Sequence, residues 1–246
     1  MFNHTKIIFS YLLLCLLSFS LFFIIFTPTQ FISDYFLDKK ANNAWKATNE
    51  QGNIWQGNLT ITHPKGLIAN INWLLKPLNY FTNDTVIAIN LNNQQSKLTL
   101  NSQFNSFDIQ FILNGTLDAA HITRSYPLPQ RANMTGTIAI NDLYLNNTPP
   151  YYIQSGDLLW SGGKVSANGK TNKLPKLNLL LETEQQDLVI NIIEHNSQLN
   201  LINIHAHTNK QADIKLYQQL LTLTKQGALS EQPTDVVIRF TEKLKF

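Results

Sequence analysis

The sequence predicts a mainly β protein: an N-terminal transmembrane helix, a long, curled antiparallel β-sheet, and one C-terminal packing helix. Three observations carry this expectation. An uncharged apolar run fills Ile7–Phe26. From Ile54 onward, apolar residues recur at every second position in one stretch after another. A single late segment, Lys210–Gly227, places its apolar residues at helical spacing.

The first element is the run "IIFSYLLLCLLSFSLFFIIF". At about 20 residues and ~1.5 Å rise per residue, it matches the ~30 Å hydrocarbon core of a bilayer. A cleaved leader would have an apolar region of about 7–15 residues and a small-x-small site behind it. Here "TPTQF" follows, so the run reads as an uncleaved anchor. Residues 1–6 become a cytoplasmic stub, 7–26 the transmembrane helix and 27–50 a juxtamembrane segment. Within that segment Ile32, Tyr35 and Phe36 have the spacing of a short helix. Residues 51–246 form the exported β-rich domain.

Composition narrows the function. Charged residues make up 14% of the 246-residue chain and the net charge is +3, so Asn, Gln, Ser and Thr carry the polarity. No Lys/Arg run interleaves with aromatics, which argues against a nucleic-acid surface. The one cysteine, Cys15, lies in the apolar run, which excludes intrachain disulfides and multi-cysteine metal sites.

The strands come next. Ile87-Ile89-Leu91, Leu98-Leu100, Phe107-Ile109-Phe111-Leu113 and Ile138-Ile140 alternate with small or polar residues. So do Leu177-Leu179-Leu181, Leu188-Ile190-Ile192 and Leu199-Leu201, followed by Ile202-Ile204. These are half-buried antiparallel strands separated by Asn-, Gly- and Pro-containing turns. No helical pattern separates them, as a parallel α/β sheet would require. Late in the chain, Leu216, Leu220 and Leu223 make one helical stripe with Ile214, Tyr217 and Leu221 beside it; Gly227 suits the C-terminal cap. Asp235–Phe240 then reads as a last strand. Internal boundaries are expected at Pro127–Pro129 and Thr148–Pro150.

The segment "GNIWQGNLTITHPKGLIANINWLLKP" (Gly52–Pro77) allows a register to be derived. His63-Pro64-Lys65-Gly66 suits a type I turn, with Gly66 able to take φ > 0. His63 then faces Leu67. Counting back pairs Ile61 with Ala69, Leu59 with Ile71, Gly57 with Trp73 and Trp55 with Leu75. Side chains alternate, so these lie on one face, with Trp73 over the bare backbone of Gly57. That is a packing feature. A second Trp-x-Gly occurs at Trp160 and Gly162, where Gly162-Gly163 reads as a hairpin turn of its own.

Catalytic patterns are weak. His205-x-His207 puts two imidazoles on one side of a strand, a spacing found in zinc sites, with His195, His63 or His121 as candidate third ligands. Exposed polar strand positions are the simpler account. Glu182-x-Glu184 with Asp187 nearby resembles a carboxylate pair, but the adjoining Gln185-Gln186 makes it a solvated turn. No nucleophile elbow, phosphate loop or dinucleotide fingerprint occurs. The sequence therefore assigns no catalytic residue, no metal and no cofactor, and the expectation is a non-enzyme.

Gly52, Trp55, Gly57, Trp73 and Pro77, with Trp160, Gly162 and Gly163 later, form a pattern that resembles the type II secretion system protein N family of Gram-negative bacteria. The resemblance implies an inner-membrane anchor with the bulk of the chain in the periplasm. It also implies a non-enzymatic accessory role in protein export, beside other inner-membrane and periplasmic components of that system. The family is similar to AsmA-type proteins, whose curved sheets enclose an apolar groove. The alternative this implies is lipid binding or transfer in the periplasm.

Overall fold

A computed structural model of the chain describes residues 11–20, 22, 26–30, 46–64, 67–82, 84–105, 108–125, 133–146, 153–167, 169–227 and 229–243. It divides into two units, Met1–Pro77 and Leu78–Phe246.

In the first unit residues 11–20 are helical. Tyr11, Leu12, Leu13, Leu14, Leu16, Leu17 and Phe19 are all exposed, as is Cys15. Among the described residues no helix is long and apolar enough to cross a membrane. The predicted span over 7–26 falls partly outside the described residues, and the predicted juxtamembrane helix lies outside them altogether. The segment 27–50 is more than a tether where it is described. Pro28 bridges Asn53, Ile54 N–H donates to Thr27 O at 3.1 Å, and the buried Thr29 donates its hydroxyl to Gln51 O.

Strand β1 (Lys46–Gly52) also begins inside that segment, so the boundary expected at residue 51 cuts a strand. Its sequence, KATNEQG, has no apolar alternation. Its place comes from backbone pairing with β2 (Gln56–His63), which pairs in turn with β3 (Leu67–Leu75). The β2–β3 register is the one derived from the turn: His63 opposite Leu67, Ile61 opposite Ala69, Leu59 opposite Ile71, Gly57 opposite Trp73. Gly66 itself lies outside the described residues.

After a 3₁₀ helix at Pro77–Phe81, the second unit consists of β4 (Ile87–Asn92), β5 (Lys97–Asn105), β6 (Asp108–Asp118), α1 (Ala119–Ser125), β7 (Asn133–Met134), β8 (Thr137–Leu145), β9 (Ile153–Trp160), β10 (Gly163–Ala167), β11 (Lys170–Leu174), β12 (Leu177–Glu184), β13 (Asp187–Glu194), β14 (Asn200–Ala206), β15 (Gln211–Tyr217), α2 (Gln218–Leu223) and β16 (Val236–Lys243). Its large sheet is wholly antiparallel, in the order β4-β5-β6-β8-β9-β12-β13-β14-β15-β16. A small sheet, β11-β10-β7, stands apart from it. The boundaries expected at Pro127–Pro129 and Thr148–Pro150 lie outside the described residues.

Register carries the alternating pattern across the whole large sheet. Leu91, Leu98, Gly115, Ile140, Leu158, Leu179, Ile192, Ile202, Leu216 and Ile238 lie in one cross-strand row, one residue from each strand. The core cluster Leu188, Ala206 and Ala212, with Ile190, Ile204, Ile214 and Ile153 packed on it, belongs to the same face. Most of that row is only half-buried; Ile140 is the fully buried exception. The opposite face mixes apolar residues such as Val189 with polar pairs: Thr99 bonds Asn90, and Asn203 bonds Asn191.

Gly115 interrupts the row because nothing larger fits. Its φ is +142°, and a Cβ would lie 2.0 Å from Lys97 O. The register shifts here, opposite the left-handed Asp142. Asn114 seals the bulge by accepting from Asp142 N–H at 2.7 Å and donating back to its carboxylate at 3.0 Å. Such bulges bend a strand and increase its twist.

Two expectations are corrected. The helix expected over Lys210–Gly227 is confined to Gln218–Leu223, and Gln211–Tyr217 is strand. Ala212, Ile214 and Leu216 also satisfy a period of two. As strand residues they pair on both sides, Ile214 with Ile204 and Phe240, Leu216 with Ile202 and Ile238. Two backbone ladders and a buried face outweigh local helical preference. Gly162-Gly163 is not a hairpin turn either. Both have positive φ and carry the chain from β9 in the large sheet to β10 in the small one.

Candidate functional site

Two tryptophan–glycine corners and one histidine–aspartate cluster contain the residues singled out from the sequence. In the first corner, a Cβ on Gly57 would sit 2.4 Å from Trp73 Cζ2 and 2.6 Å from Gln51 O. The indole therefore covers bare backbone, and its Nε1–H donates to Ile54 O at 3.3 Å. Gly52, at φ +99°, faces Gly57 across β1–β2, where a Cβ would meet Gln56 O at 2.3 Å. Asn53 closes the connection by accepting from the N–H groups of Trp55 and Gln56. Trp55 O accepts from Leu75 N–H at 2.6 Å, continuing the ladder toward Pro77, the first residue of the 3₁₀ helix.

The second corner is built differently. Trp160 ends β9 at 2% exposure, and its Nε1–H donates to Thr135 O at 2.9 Å. Gly136 passes so close that a Cβ would lie 2.9 Å from that nitrogen and 2.3 Å from Gly162 O. A Cβ on Gly163 would meet Thr135 O at 2.5 Å, and one on Gly162 would meet the Leu174–Pro175 backbone at 2.8–2.9 Å. The two glycines thus thread a gap between backbones. In both corners the indole packs against glycine backbone.

The histidine pair belongs to a cluster on the sheet face opposite the apolar row. His205 and Asp213 pair across β14–β15, while Asp187 opens β13 and His207 follows the end of β14. Asp187 Oδ2 lies 3.1 Å from His205 Nε2 and 2.9 Å from His207 Nδ1. The other nitrogen of His207 is 3.0 Å from Asp213 Oδ2. Thr208 N–H donates to Asp187 Oδ1, and Thr241 Oγ1 donates to Asp213 Oδ1. The two imidazoles stack with centroids 4.6 Å apart. The third candidate ligands suggested by the sequence sit elsewhere: His195 bonds Asn178 at the far end of β13, His121 is in α1 and His63 ends β2. Glu182 and Glu184 are exposed at the β12–β13 hairpin, whose Gln185-Gln186 turn has both residues at positive φ.

The hydrogen bonds to Asp213 and then Asp187 raise the His207 pKa above its ordinary 6.5. The bond from His207 lowers Asp187, and the bonds from His207 and Thr241 lower Asp213, below their ordinary 3.8. The signs fix a window. The His207 contribution to stability is fully present below 6.5 and fades as pH rises through its folded pKa. The carboxylate contributions are present above 3.8 and fade as pH falls through theirs. The metal-free cluster therefore contributes most between those limits. Long-range ¹H–¹⁵N spectra of metal-free protein are expected to place His207 above 6.5, and Asp213→Asn to bring it down. A His207 pKa unmoved by that change would show that Asp213 does not hold the proton.

Residues 43–230, most of the chain, match the family model described as Type II secretion system (T2SS), protein N. That span takes in both tryptophan corners, the histidine–aspartate cluster and every strand from β1 to β15. No curated protein and no solved structure matches the chain.

Proposed function

The chain belongs to the type II secretion system protein N family, and from that membership we propose a non-enzymatic accessory component that supports export by contact. It is held in the inner membrane by its N-terminal apolar segment, and its β-rich unit faces other components of the machine in the periplasm. The observation that carries this reading is the family match across nearly all of the β structure.

Two features support contact as the mechanism. β16 ends the strand order of its sheet, and its Ile238 and Phe240 are 38% and 44% exposed. An open strand edge can take a further strand from a partner, with main-chain hydrogen bonds giving affinity and alternate side chains giving specificity. In the anchor segment, helical residues 11–20 expose five leucines, Tyr11 and Phe19, as an element that sits in lipid does. The carboxylates Glu182 and Glu184 lie exposed at the end of β12.

The half-buried apolar row across the large sheet favours a second reading, an AsmA-like trough that carries lipid. One experiment separates the two. Deleting the gene is expected to remove type II cargo from the culture supernatant, with the full chain in trans restoring it and envelope lipid distribution unchanged. Unchanged cargo would overturn the secretion reading, and altered outer-membrane lipid with normal cargo would establish the lipid one.

A further inference from the structure

We propose that Asp187, His205 and His207 form a binding site for a divalent transition-metal cation of the zinc type. The three side chains offer one ligand atom each, all within 4.8 Å of one another. Two different imidazole nitrogens, His205 Nε2 and His207 Nδ1, converge on a single carboxylate oxygen, Asp187 Oδ2. In a tetrahedral zinc site with bonds of about 2.0–2.2 Å, ligand atoms lie about 3.3–3.6 Å apart. The observed 2.9 and 3.1 Å need to open by only a few tenths of an ångström.

The surroundings of the cluster are those of a metal centre rather than of two chance contacts. A metal-bound histidine normally gives its other ring N–H to a carboxylate, which fixes tautomer and ring orientation. His207 has that partner: its Nε2 faces Asp213 Oδ2 at 3.0 Å, so with the ring proton kept on Nε2 an ion can displace the proton from Nδ1, which lies 2.9 Å from Asp187 Oδ2. Asp213 is held by the Thr241 hydroxyl. The Thr208 N–H occupies Asp187 Oδ1, so that Oδ2 is the oxygen left for an ion. Asp187 and Asp213 together supply the two negative charges that balance a dication.

The ligand set also selects the ion. Two imidazoles and a carboxylate suit zinc and its transition-metal neighbours, whereas magnesium and calcium prefer all-oxygen sites. The side chains of His205, His207 and Asp187 remain 38%, 29% and 22% exposed. Three protein ligands with solvent access leave a fourth position for water or for a group on a partner. Such an ion ties β13 to β14 directly, and reaches β15 and β16 through Asp213 and Thr241.

The test uses the full chain in detergent without a polyhistidine tag, stripped with chelator and titrated with ZnCl₂ against a chromophoric competitor. One equivalent is expected to bind and to raise the melting temperature, while MgCl₂ does neither. His205→Ala and His207→Ala are expected to abolish the stoichiometric site. Asp213→Asn should weaken it by about 10–100-fold, the usual effect of losing a ligand's supporting carboxylate. His195→Ala should leave it intact. Absence of stoichiometric zinc, or zinc retained by the folded His205→Ala and His207→Ala variants, would overturn the site. If those variants fail to fold, cobalt in the wild-type chain decides. Intense visible bands of a four- or five-coordinate site support it, and the pale spectrum of the aquo ion overturns it.

Discussion

Replacing Trp160 by alanine is expected to destabilise the Leu78–Phe246 unit by about 3–5 kcal/mol, the range for removing a buried tryptophan. The indole is 2% exposed and faces Ile138 on β8 and Leu177 on β12, so its loss opens a cavity within the large sheet. Its Nε1–H also satisfies Thr135 O, in the stretch leading from the small-sheet strand β7 to the large-sheet strand β8. Around it the ladder of each sheet runs on: Ser161 N–H to Thr137 O at 2.8 Å extends the β8–β9 pairing, and Thr135 N–H to Lys164 O at 3.0 Å extends the β7–β10 pairing. Trp160→Phe keeps most of the packing and forfeits the hydrogen bond, so about 1–2 kcal/mol is expected. Urea unfolding followed by near-ultraviolet circular dichroism measures both. A Trp160→Ala loss under about 1 kcal/mol would mean that the small sheet is not held by this ring.

The second large effect is at Gly57. Alanine there places a methyl 2.4 Å from the Trp73 ring and 2.6 Å from Gln51 O. The ring can swing aside but the carbonyl belongs to β1, so overpacking of about 2–3 kcal/mol is expected. A double-mutant cycle separates the two clashes. In a Trp73→Leu background the Gly57→Ala cost should fall by about 1 kcal/mol, the ring's share, while the Gln51 clash remains. Strict additivity would contradict the Trp73-over-Gly57 arrangement.

What could be read from the sequence follows from where each structure gets its definition. The strands with Ile or Leu at every second position were legible because burial of one face imposes that period. The β2–β3 register was legible because a short turn with a proline and a glycine sets the pairing of everything behind it. Lys210–Gly227 was not, because Ile214, Leu216 and Leu220 fit both periods and only the flanking strands β14 and β16 choose between them. β1, β7, β10 and β11 were missed because polar strands such as KATNEQG and KTNKL leave no apolar trace. The cluster was half legible. His205 and His207 are neighbours in sequence, but Asp187 arrives from 18 residues away through the β13–β14 pairing.

The order of strands has a consequence for how the molecule comes to be folded. In the large sheet of the second unit nearly every strand lies beside the one that precedes or follows it in the chain, with only β7 and the β10–β11 pair set aside. Contacts of this kind are short-range along the polypeptide, so little loop-closure entropy must be spent before each new pairing is rewarded. A chain emerging amino end first can lay down each strand on the last one without waiting for its far end. Until the next strand arrives, the sheet's growing edge is unsatisfied, and that edge ends its journey at β16.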